Sequence, residues 1–215
     1  MEQRKKSKGL KWILDENQFH SDCELRRLRR TTKRKKDKAL MSNTKTAVKD
    51  WFLICIGTET GLRVQEIADL SCGDLRIHSG RSSLVVQNGK GGKKRIVLFR
   101  EKFKQDVMEF LAWKQEQGDS IEKDASLFTV KGRRMTKRAL QKSYARSLEE
   151  AGVTQDEGIG IHSLRHTYAT FLLKASKGNI AFVQRQLGHA DRRTTEIYTH
   201  LLGPDVHRAL GKLYA

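Results

Sequence analysis

Residues 47–70 read AVKDWFLICIGTETGLRVQEIADL, a long apolar run that is interrupted by Gly61. A run with so few polar interruptions predicts a helix that is buried on most of its surface. Gly61 predicts the end of this helix, because glycine readily adopts the left-handed conformation of a helix C-cap. Apolar residues then recur at helical spacing from Val64 to Leu70, which predicts a second, short helix directly after the turn.

A β-rich region follows this pair of helices. A short strand is predicted at 75–77, and two longer strands at 83–87 (SLVVQ) and 95–99 (RIVLF). The glycine-rich sequence NGKGGKK between the longer strands predicts a β-hairpin. The patterns beyond the hairpin are helical, with segments at 103–115, 136–151, 162–174, 180–187, 195–202 and 206–213. We therefore expect a mainly α protein with a small antiparallel β-sheet, in the α+β class.

The composition is strongly basic. The 215 residues include 43 Lys and Arg against 25 Asp and Glu, a net charge of +18, and the 37% hydrophobic content is enough for a core. A charge of this size opposes compaction unless a polyanion relieves it. Nucleic acid is the commonest such partner and an anionic membrane surface is the other, and composition alone does not choose between them.

Several classes of protein are excluded by the sequence. No run approaches the roughly 18 consecutive apolar residues of a transmembrane helix, and the N-terminus lacks the apolar region of a secretory signal. The three cysteines form no CxxC pair, so neither a disulfide framework nor a metal site is predicted. These features predict a cytoplasmic protein in a reducing compartment.

Residues 26–38, RRLRRTTKRKKDK, hold nine basic side chains against Asp37 alone. Such a segment can be a solvated helix face or a disordered linker. Its charge density favours contact with phosphates, because each neutralised phosphate releases counterions. The residues expected to contact DNA are Arg26, Arg27, Arg29, Arg30, Lys33, Arg34, Lys35 and Lys36.

The chain also contains the groups that a metal-free attack on a phosphodiester requires. Arginine suits the two nonbridging oxygens, because its planar guanidinium donates paired hydrogen bonds and stays charged. The leaving alkoxide needs a proton donor, and a side-chain hydroxyl can attack the phosphorus. The candidates for these tasks are Arg63, Lys90, His162, Arg165, His189 and Tyr198.

Four motifs together resemble those of the tyrosine recombinase (phage integrase) family. In chain order they are TGLRVQEIADL (60–70), GKGGKKRIVLF (89–99), IHSLRHTYATFLL (161–173) and QLGHADRRTTEIYTH (186–200). Each motif alone is weak, since HxxR is common and GKG is a generic turn. All four in the family's order make the resemblance specific over residues 47–200, and it implies the fold of that family's catalytic domain.

The resemblance implies that two arginines hold the scissile phosphate. Arg63 and Arg165 would bind its nonbridging oxygens, and Glu66 would keep Arg63 in place through an ion pair. Lys90, in the predicted hairpin turn, would protonate the leaving 5′ oxygen.

The resemblance also assigns the two histidines and the tyrosine. His162 would act as an acid or base beside the phosphate, and His189 would donate to a nonbridging oxygen. Tyr198 would attack the phosphorus to form a 3′-phosphotyrosine and free a 5′-hydroxyl, and a 5′-hydroxyl of a second strand would reverse the step. Because the covalent intermediate keeps the bond energy, neither ATP nor a metal or other cofactor is expected.

The implied activity is site-specific DNA recombination or integration, and two alternatives remain open. A type IB topoisomerase-like nicking and closing enzyme uses a similar set of groups, although the LGH context of His189 favours a recombinase. A non-catalytic DNA-binding relative would not need all six chemical positions. The resemblance implies double-stranded DNA as the partner and association with a prokaryotic nucleoid, with no membrane. It also implies self-association on DNA as a tetrameric synapse, with a monomer or weak oligomer in its absence.

The domain organisation expected from the sequence is simple. Residues 1–9 form a basic tail, and residues 10–215 form the catalytic domain. Many family members carry a helical core-binding domain before the catalytic one, and the short stretch before Arg63 fits no separate domain of that kind. We therefore expect either a catalytic fragment or a minimal enzyme in which the basic segment 26–38 supplies part of the grip on DNA. Residues 201–215 fit a C-terminal segment that docks on a neighbouring protomer or folds back on its own domain.

Overall fold

The computed structural model describes residues 19–42, 44–78, 82–89, 92–154 and 160–188. The helices within them are α1 (Asp22–Ser42), α2 (Lys45–Thr60), α3 (Val64–Asp69), α4 (Glu101–Glu116), α5 (Lys137–Ala151), α6 (His162–Ala175) and α7 (Ile180–Leu187). The strands are β1 (Leu75–Arg76), β2 (Ser83–Val86), β3 (Arg95–Leu98), β4 (Thr129–Val130) and β5 (Arg133–Arg134). The expected mainly α fold with a small antiparallel sheet is confirmed.

Helix α2 forms the centre of the core. It is buried at every position from Asp50 to Thr60, because α1, α4, α5 and α6 pack around it. The ring of Phe52 stacks on that of Phe110 in α4, with 3.9 Å between the ring centroids, and lies 5.7 Å from that of Phe128. The prediction of a buried helix that ends at Gly61 is therefore confirmed.

The larger sheet has β2 between β1 and β3, and both pairings are antiparallel. Val86 of β2 lies opposite Arg95 of β3. Along β3, Val97 is fully buried whereas Ile96 and Leu98 are 52% and 48% exposed. Because side chains alternate between the two faces of a strand, Arg95 shares the inward face with Val97.

A second hairpin, formed by β4 and β5, was not predicted from the sequence. Its turn contains Lys131 and Gly132, which both have positive φ, at 49° and 72°. Positive φ at both central positions is typical of the tight turns that join antiparallel strands. The two residues on each side of this turn carry too little alternation to be detected as a sequence pattern. The short strand predicted at 75–77 is present as β1, which also has two residues.

The basic segment 26–38 forms the middle of α1, which packs against α2 and α5. Its inward face is formed by four residues at helical spacing, Leu28, Thr32, Lys36 and Ala39. The ammonium group of Lys36 pairs with Glu109 and lies 4.6 Å from the ring centroid of Trp51. The segment is therefore an integral part of the folded domain rather than a disordered linker.

Some of the predictions fall on residues that the structure does not describe. These are Lys90, His189, Tyr198, the tail 1–9, the segment 201–215 and the helices predicted at 195–202 and 206–213. Across the described ranges, none of the helices combines the length and the apolar composition that crossing a membrane requires.

Candidate active site

The site begins at the turn between α2 and α3. Gly61 caps α2 with a φ of 60°, and its N–H donates to the carbonyl of Gly57 at 3.1 Å. A Cβ atom added to Gly61 would lie 2.3 Å from Cδ1 of Tyr168. Glycine is required here because the backbone is left-handed and because the ring of Tyr168 leaves no space. This turn places Arg63 at the N-cap of α3.

Arg63 and Glu66 form an ion pair at the start of α3. The backbone N–H of Arg63 donates to Oε2 of Glu66 at 2.8 Å, and its Nη1 donates to Oε1 at 3.0 Å. A carboxylate at the third helical position commonly accepts from the N-cap backbone in this way. The Arg63 side chain is 28% exposed and that of Glu66 only 4%, so the guanidinium reaches the surface above a buried carboxylate.

Arg165 in α6 joins three helices. Its Nη1 donates to the carbonyl of Gly61 at 2.7 Å, and its Nη2 donates to that of Leu187 at 2.8 Å. These carbonyls lie at the C-terminal ends of α2 and α7, where they lack partners within the helix and carry its partial negative charge. Arg165 therefore holds the end of α7 beside the turn that leads to Arg63.

His162 is exposed at the start of α6, one turn before Arg165. Its pKa is lowered because part of the ring is shielded from solvent, and because Lys137, Arg165 and Arg63 oppose a further positive charge. The histidine and the two arginines therefore share one positive field, which attracts an anion. The lowered pKa keeps the imidazole neutral at neutral pH, where it can accept a proton.

His166 lies one turn further along α6 and is half-buried. Burial lowers its pKa to about 4, with contributions from the charge of Arg165 and from His162. A neutral imidazole beside Arg165 adds no repulsion to the positive cluster. No catalytic role was predicted for His166.

Arg95 of β3 is a second partner of Glu66, and the sequence analysis assigned it no role. Its Nη1 and Nη2 donate to Oε1 and Oε2 of Glu66, each at 2.8 Å, and its Nε donates to the carbonyl of Gln186 at 3.4 Å. Burial alone would raise the pKa of Glu66, but the hydrogen bonds and charge of Arg95, together with the Arg63 N–H and the charge of Arg165, outweigh it and the pKa is lowered. The signal in the sequence was an arginine on the same face of the strand as Val97, since a buried charge requires a partner.

A buried hydrogen-bonded cluster supports the start of α6 and was also missed. Nε2 of His20 lies 2.7 Å from the Tyr144 hydroxyl and 3.3 Å from that of Ser163, and the two hydroxyls are 2.5 Å apart. Burial lowers the pKa of His20. Ser163 follows His162 directly, so the cluster holds the first turn of α6 against α5. His20 and Tyr144 are 124 positions apart, and no local pattern links them.

The eight basic residues expected to contact DNA divide into two groups. Five of them contact other groups of the chain: Arg26, Arg27, Arg29, Lys35 and Lys36. The other three, Arg30, Lys33 and Arg34, are exposed on α1. Lys36 belongs to the interior rather than to a DNA-facing surface, because it is only 3% exposed and its ammonium is paired with Glu109.

The described residue that precedes His189 is Gly188, the C-cap of α7. Its φ is 65°, and an added Cβ would lie 2.6 Å from Cδ of Arg95. Gly89, which precedes Lys90, is similarly close, since its Cβ would lie 3.2 Å from Nη1 of Arg95. Gly188 and Gly89 therefore both pack on Arg95.

The chain is similar in sequence to known proteins. A family model described as the phage integrase family matches residues 30–203. The tyrosine recombinase XerD of Oceanobacillus iheyensis is 35% identical over 164 residues, which cover 74% of this chain and 52% of that protein. The tyrosine recombinase XerC of Thermodesulfovibrio yellowstonii is 32% identical over 160 residues, covering 73% and 51%. The chain therefore spans about half the length of these relatives.

Solved structures show the same fold. The XerH site-specific recombinase, in a post-cleavage complex with a palindromic difH substrate, superposes with a TM-score of 0.71 at 28% identity, covering 92% of this chain and 53% of that one. The catalytic domain of bacteriophage HP1 integrase superposes with a TM-score of 0.60 at 20% identity, covering 91% and 94%. The second similarity concerns the fold alone.

Proposed function

The chain belongs to the phage integrase family, and from this premise we propose that it cuts and rejoins double-stranded DNA through a 3′-phosphotyrosine intermediate. The observation that supports the proposal most directly is the position of Arg165. Its bonds to the carbonyls of Gly61 and Leu187 bring together the turn before Arg63, the start of α6 with His162, and the end of α7. Residues far apart in sequence thereby form one positively charged site.

In the proposed reaction, Arg63 and Arg165 bind the nonbridging oxygens of the scissile phosphate. Negative charge on these oxygens grows during attack, and guanidinium groups that are already oriented stabilise it without reorganisation. The ion pair with Glu66 orients Arg63, and two backbone carbonyls orient Arg165. His162, with its lowered pKa, is suited to accept and return a proton beside the phosphate.

The roles of Lys90, His189 and Tyr198 are proposed from the family motifs. Tyr198 attacks the phosphorus, and the bond from phosphorus to the 5′ oxygen breaks. Lys90 donates a proton to that oxygen, and His189 donates a hydrogen bond to a nonbridging oxygen. The phenol of tyrosine has a pKa of about 10, so it must lose its proton during the attack. A 5′-hydroxyl then displaces the tyrosine and restores the phosphodiester.

Covalent capture tests the proposed chemistry. A DNA substrate with a nick near the cleavage position loses the short 5′-hydroxyl fragment, so that the phosphotyrosine cannot be reversed. The wild-type chain is expected to form a protein–DNA adduct that survives denaturing electrophoresis, and Tyr198→Phe is expected to form none. Tyr214→Phe, which changes a tyrosine outside the motifs, serves as the matched control and should retain the adduct. A wild-type chain that binds the DNA without any adduct would instead be a non-catalytic relative.

A second assay separates recombination from nicking and closing. Two labelled duplexes that carry the same site are expected to yield exchanged products. Relaxation of supercoiled plasmid without exchanged products would favour the topoisomerase-like alternative. The assay also measures whether the chain suffices alone, since it spans about half the length of its relatives.

We propose further that the chain self-associates on DNA. Exchange between two duplexes requires four strand cleavages, and one tyrosine performs each, so the complete complex contains four chains. Mass measurement of the complex on a duplex pair with blocked cleavage is expected to give this stoichiometry. A complex with one chain per duplex would contradict this part of the proposal.

A further inference from the structure

We propose that Arg95 is a positioning residue that keeps the Arg63 guanidinium available for phosphate by occupying the carboxylate of Glu66. That Arg63 binds a phosphate rests on the proposed function. That Arg63 and Arg95 compete for the carboxylate of Glu66 rests on geometry alone. Arg95 belongs to β3 and Arg63 to the turn before α3, so the two cations reach Glu66 from separate elements.

The carboxylate of Glu66 is fully occupied. A carboxylate offers about four lone-pair sites. Oε1 accepts from Nη1 of Arg63 at 3.0 Å and from Nη1 of Arg95 at 2.8 Å. Oε2 accepts from the Arg63 backbone N–H and from Nη2 of Arg95, each at 2.8 Å. Arg95 has the paired, bidentate geometry, and the Arg63 side chain has a single bond to this carboxylate.

The two arginines differ in exposure as well as in bonding. The Arg95 side chain is 11% exposed and that of Arg63 is 28% exposed. The Glu66 side chain, at 4%, has little access to water. A buried carboxylate that loses a bidentate partner will form the strongest remaining contact, which is bidentate pairing with Arg63. Removing Arg95 would therefore turn the Arg63 guanidinium inward and away from a phosphate.

The surroundings of Arg95 match this role. A Cβ added at Gly188 would lie 2.6 Å from Cδ of Arg95 and would displace that side chain, and one added at Gly89 would lie 3.2 Å from its Nη1. The guanidinium therefore lies between the hairpin turn, the end of α7 and α3. The arrangement holds Arg95 in the geometry that occupies both oxygens of Glu66.

Chemical modification of Arg63 tests the inference without DNA. Phenylglyoxal reacts with accessible guanidinium groups, and peptide mass mapping gives the rate at each arginine. In Arg95→Met, the rate at Arg63 is expected to fall by about threefold or more, because bidentate pairing shields the group. The rate at the exposed Arg138 should not change. An unchanged or faster reaction at Arg63 would overturn the inference.

Two further variants distinguish positioning from loss of structure. Arg95→Met combined with Glu66→Gln removes the anion, so the Arg63 rate is expected to return to the wild-type value or above it. Arg95→Lys keeps the charge and contacts one oxygen, so it should give an intermediate rate even where Arg95→Met folds poorly. If the double variant stays as slow at Arg63 as Arg95→Met, the inference is wrong.

Arg146→Met is the matched control. Arg146 donates to Asp50 through Nε at 2.8 Å and Nη2 at 2.7 Å, so it is another bidentate pair on a buried carboxylate. Asp50 and Gly61 are separated along α2 by about 16 Å. This variant is expected to lower stability and to leave the Arg63 reaction rate unchanged. A similar fall in that rate would show a general structural effect.

Cleavage of the nicked DNA substrate gives a second readout. Arg95→Met is expected to slow adduct formation about 100-fold, comparable with the loss of one charge-stabilising donor. Adduct formation should be faster in the double variant Arg95→Met, Glu66→Gln than in Arg95→Met alone. If the two substitutions instead damaged the structure independently, the double variant would be slower than either single variant. If the wild-type chain forms no adduct, the proposed function fails, and the modification rates still decide the competition for Glu66.

Discussion

In the candidate site, carboxylate and carbonyl oxygen atoms hold the cationic side chains in position. Arg63 is held by a carboxylate and Arg165 by two carbonyls, and both guanidinium groups lie near His162. Burying this much positive charge requires such partners, because an unpaired buried charge is costly. The pKa values of both histidines of α6 are lowered, mainly by burial and further by the charge of Arg165.

The lowered pKa of His166 predicts acid sensitivity of the fold. Its value of about 4 in the folded chain lies below the ordinary 6.5, so between these values the unfolded chain binds a proton that the folded chain does not. Stability is therefore lost as the pH falls below 6.5, by about 2 kcal/mol at pH 5. Urea unfolding at pH 7 and pH 5 is expected to show a smaller loss for His166→Gln than for the wild type.

The exposed His78 provides the control for this measurement. His78→Gln is expected to lose as much stability between pH 7 and pH 5 as the wild-type chain does. The glutamates of the core take up protons mainly below their ordinary pKa of about 4.3, outside this window. Equal losses in His166→Gln and the wild type would contradict the assignment to His166.

At the residue scale, the sequence indicated the groups that follow local motifs and missed those defined by contacts across the fold. Arg63, Glu66, His162 and Arg165 were selected because each occupies a motif position. His20 and Arg95 were missed because their partners, Tyr144 and Glu66, are 124 and 29 positions away. Periodicity reports which face a side chain occupies and not which group it meets there.

The elements of the fold are positioned largely by how the helices end. Helix α2 ends at Gly61 and α7 at Gly188, both in the left-handed conformation, and Arg165 or Arg95 packs at each end. The ends of these helices therefore place the cations as well as reversing the chain. A change in the backbone conformation of either turn would therefore displace an arginine side chain.

Substitution of Gly61 tests this relation between a helix end and the site. Gly61 and Gly152 both cap helices at a φ of 60°, but an added Cβ at Gly61 would meet Tyr168, and one at Gly152 meets nothing within 4 Å. Gly152→Ala is expected to cost about 1 kcal/mol for backbone strain. Gly61→Ala should cost roughly 1–3 kcal/mol more, because its methyl group overlaps the ring. Thermal or urea unfolding measures both, and equal losses would contradict the structure at Tyr168.

Long, strongly periodic elements were predictable, whereas of the two-residue strands only β1 was predicted. The buried α2, the β2–β3 hairpin and helices α4 to α7 all follow from apolar spacing and glycine caps. The hairpin β4–β5 was missed because its strands have two residues each. The role of α1 was only half predicted, since its charge density concealed the inward face that includes Leu28 and Lys36.

The whole molecule carries its basic surface on a helix that is also part of the core. Arg30, Lys33 and Arg34 are exposed on α1, whereas Lys36 on the same helix is buried against Glu109. Lys36 is one of the 43 basic residues, and its charge is matched by a carboxylate within the chain. On α1, the exposed side chains are the ones that can exchange counterions for DNA phosphates.

The salt dependence of DNA binding tests this division. Replacing Arg30, Lys33 and Arg34 with glutamine is expected to flatten the plot of log affinity against log salt by about 0.9 for each phosphate that the variant no longer neutralises. Lys36→Met should lower stability and leave the slope unchanged. A triple variant with the wild-type slope would show that these three side chains do not contact phosphates.

The anchoring of Arg165 to backbone has a consequence for how the chain can vary. Every amino acid has a backbone carbonyl, so a substitution at position 187 keeps the oxygen that accepts from Arg165. Arg63 depends instead on the identities of Glu66 and Arg95, which satisfy each other. Across homologous genes, positions 66 and 95 are therefore expected to change together, whereas the setting of Arg165 tolerates independent drift at position 187.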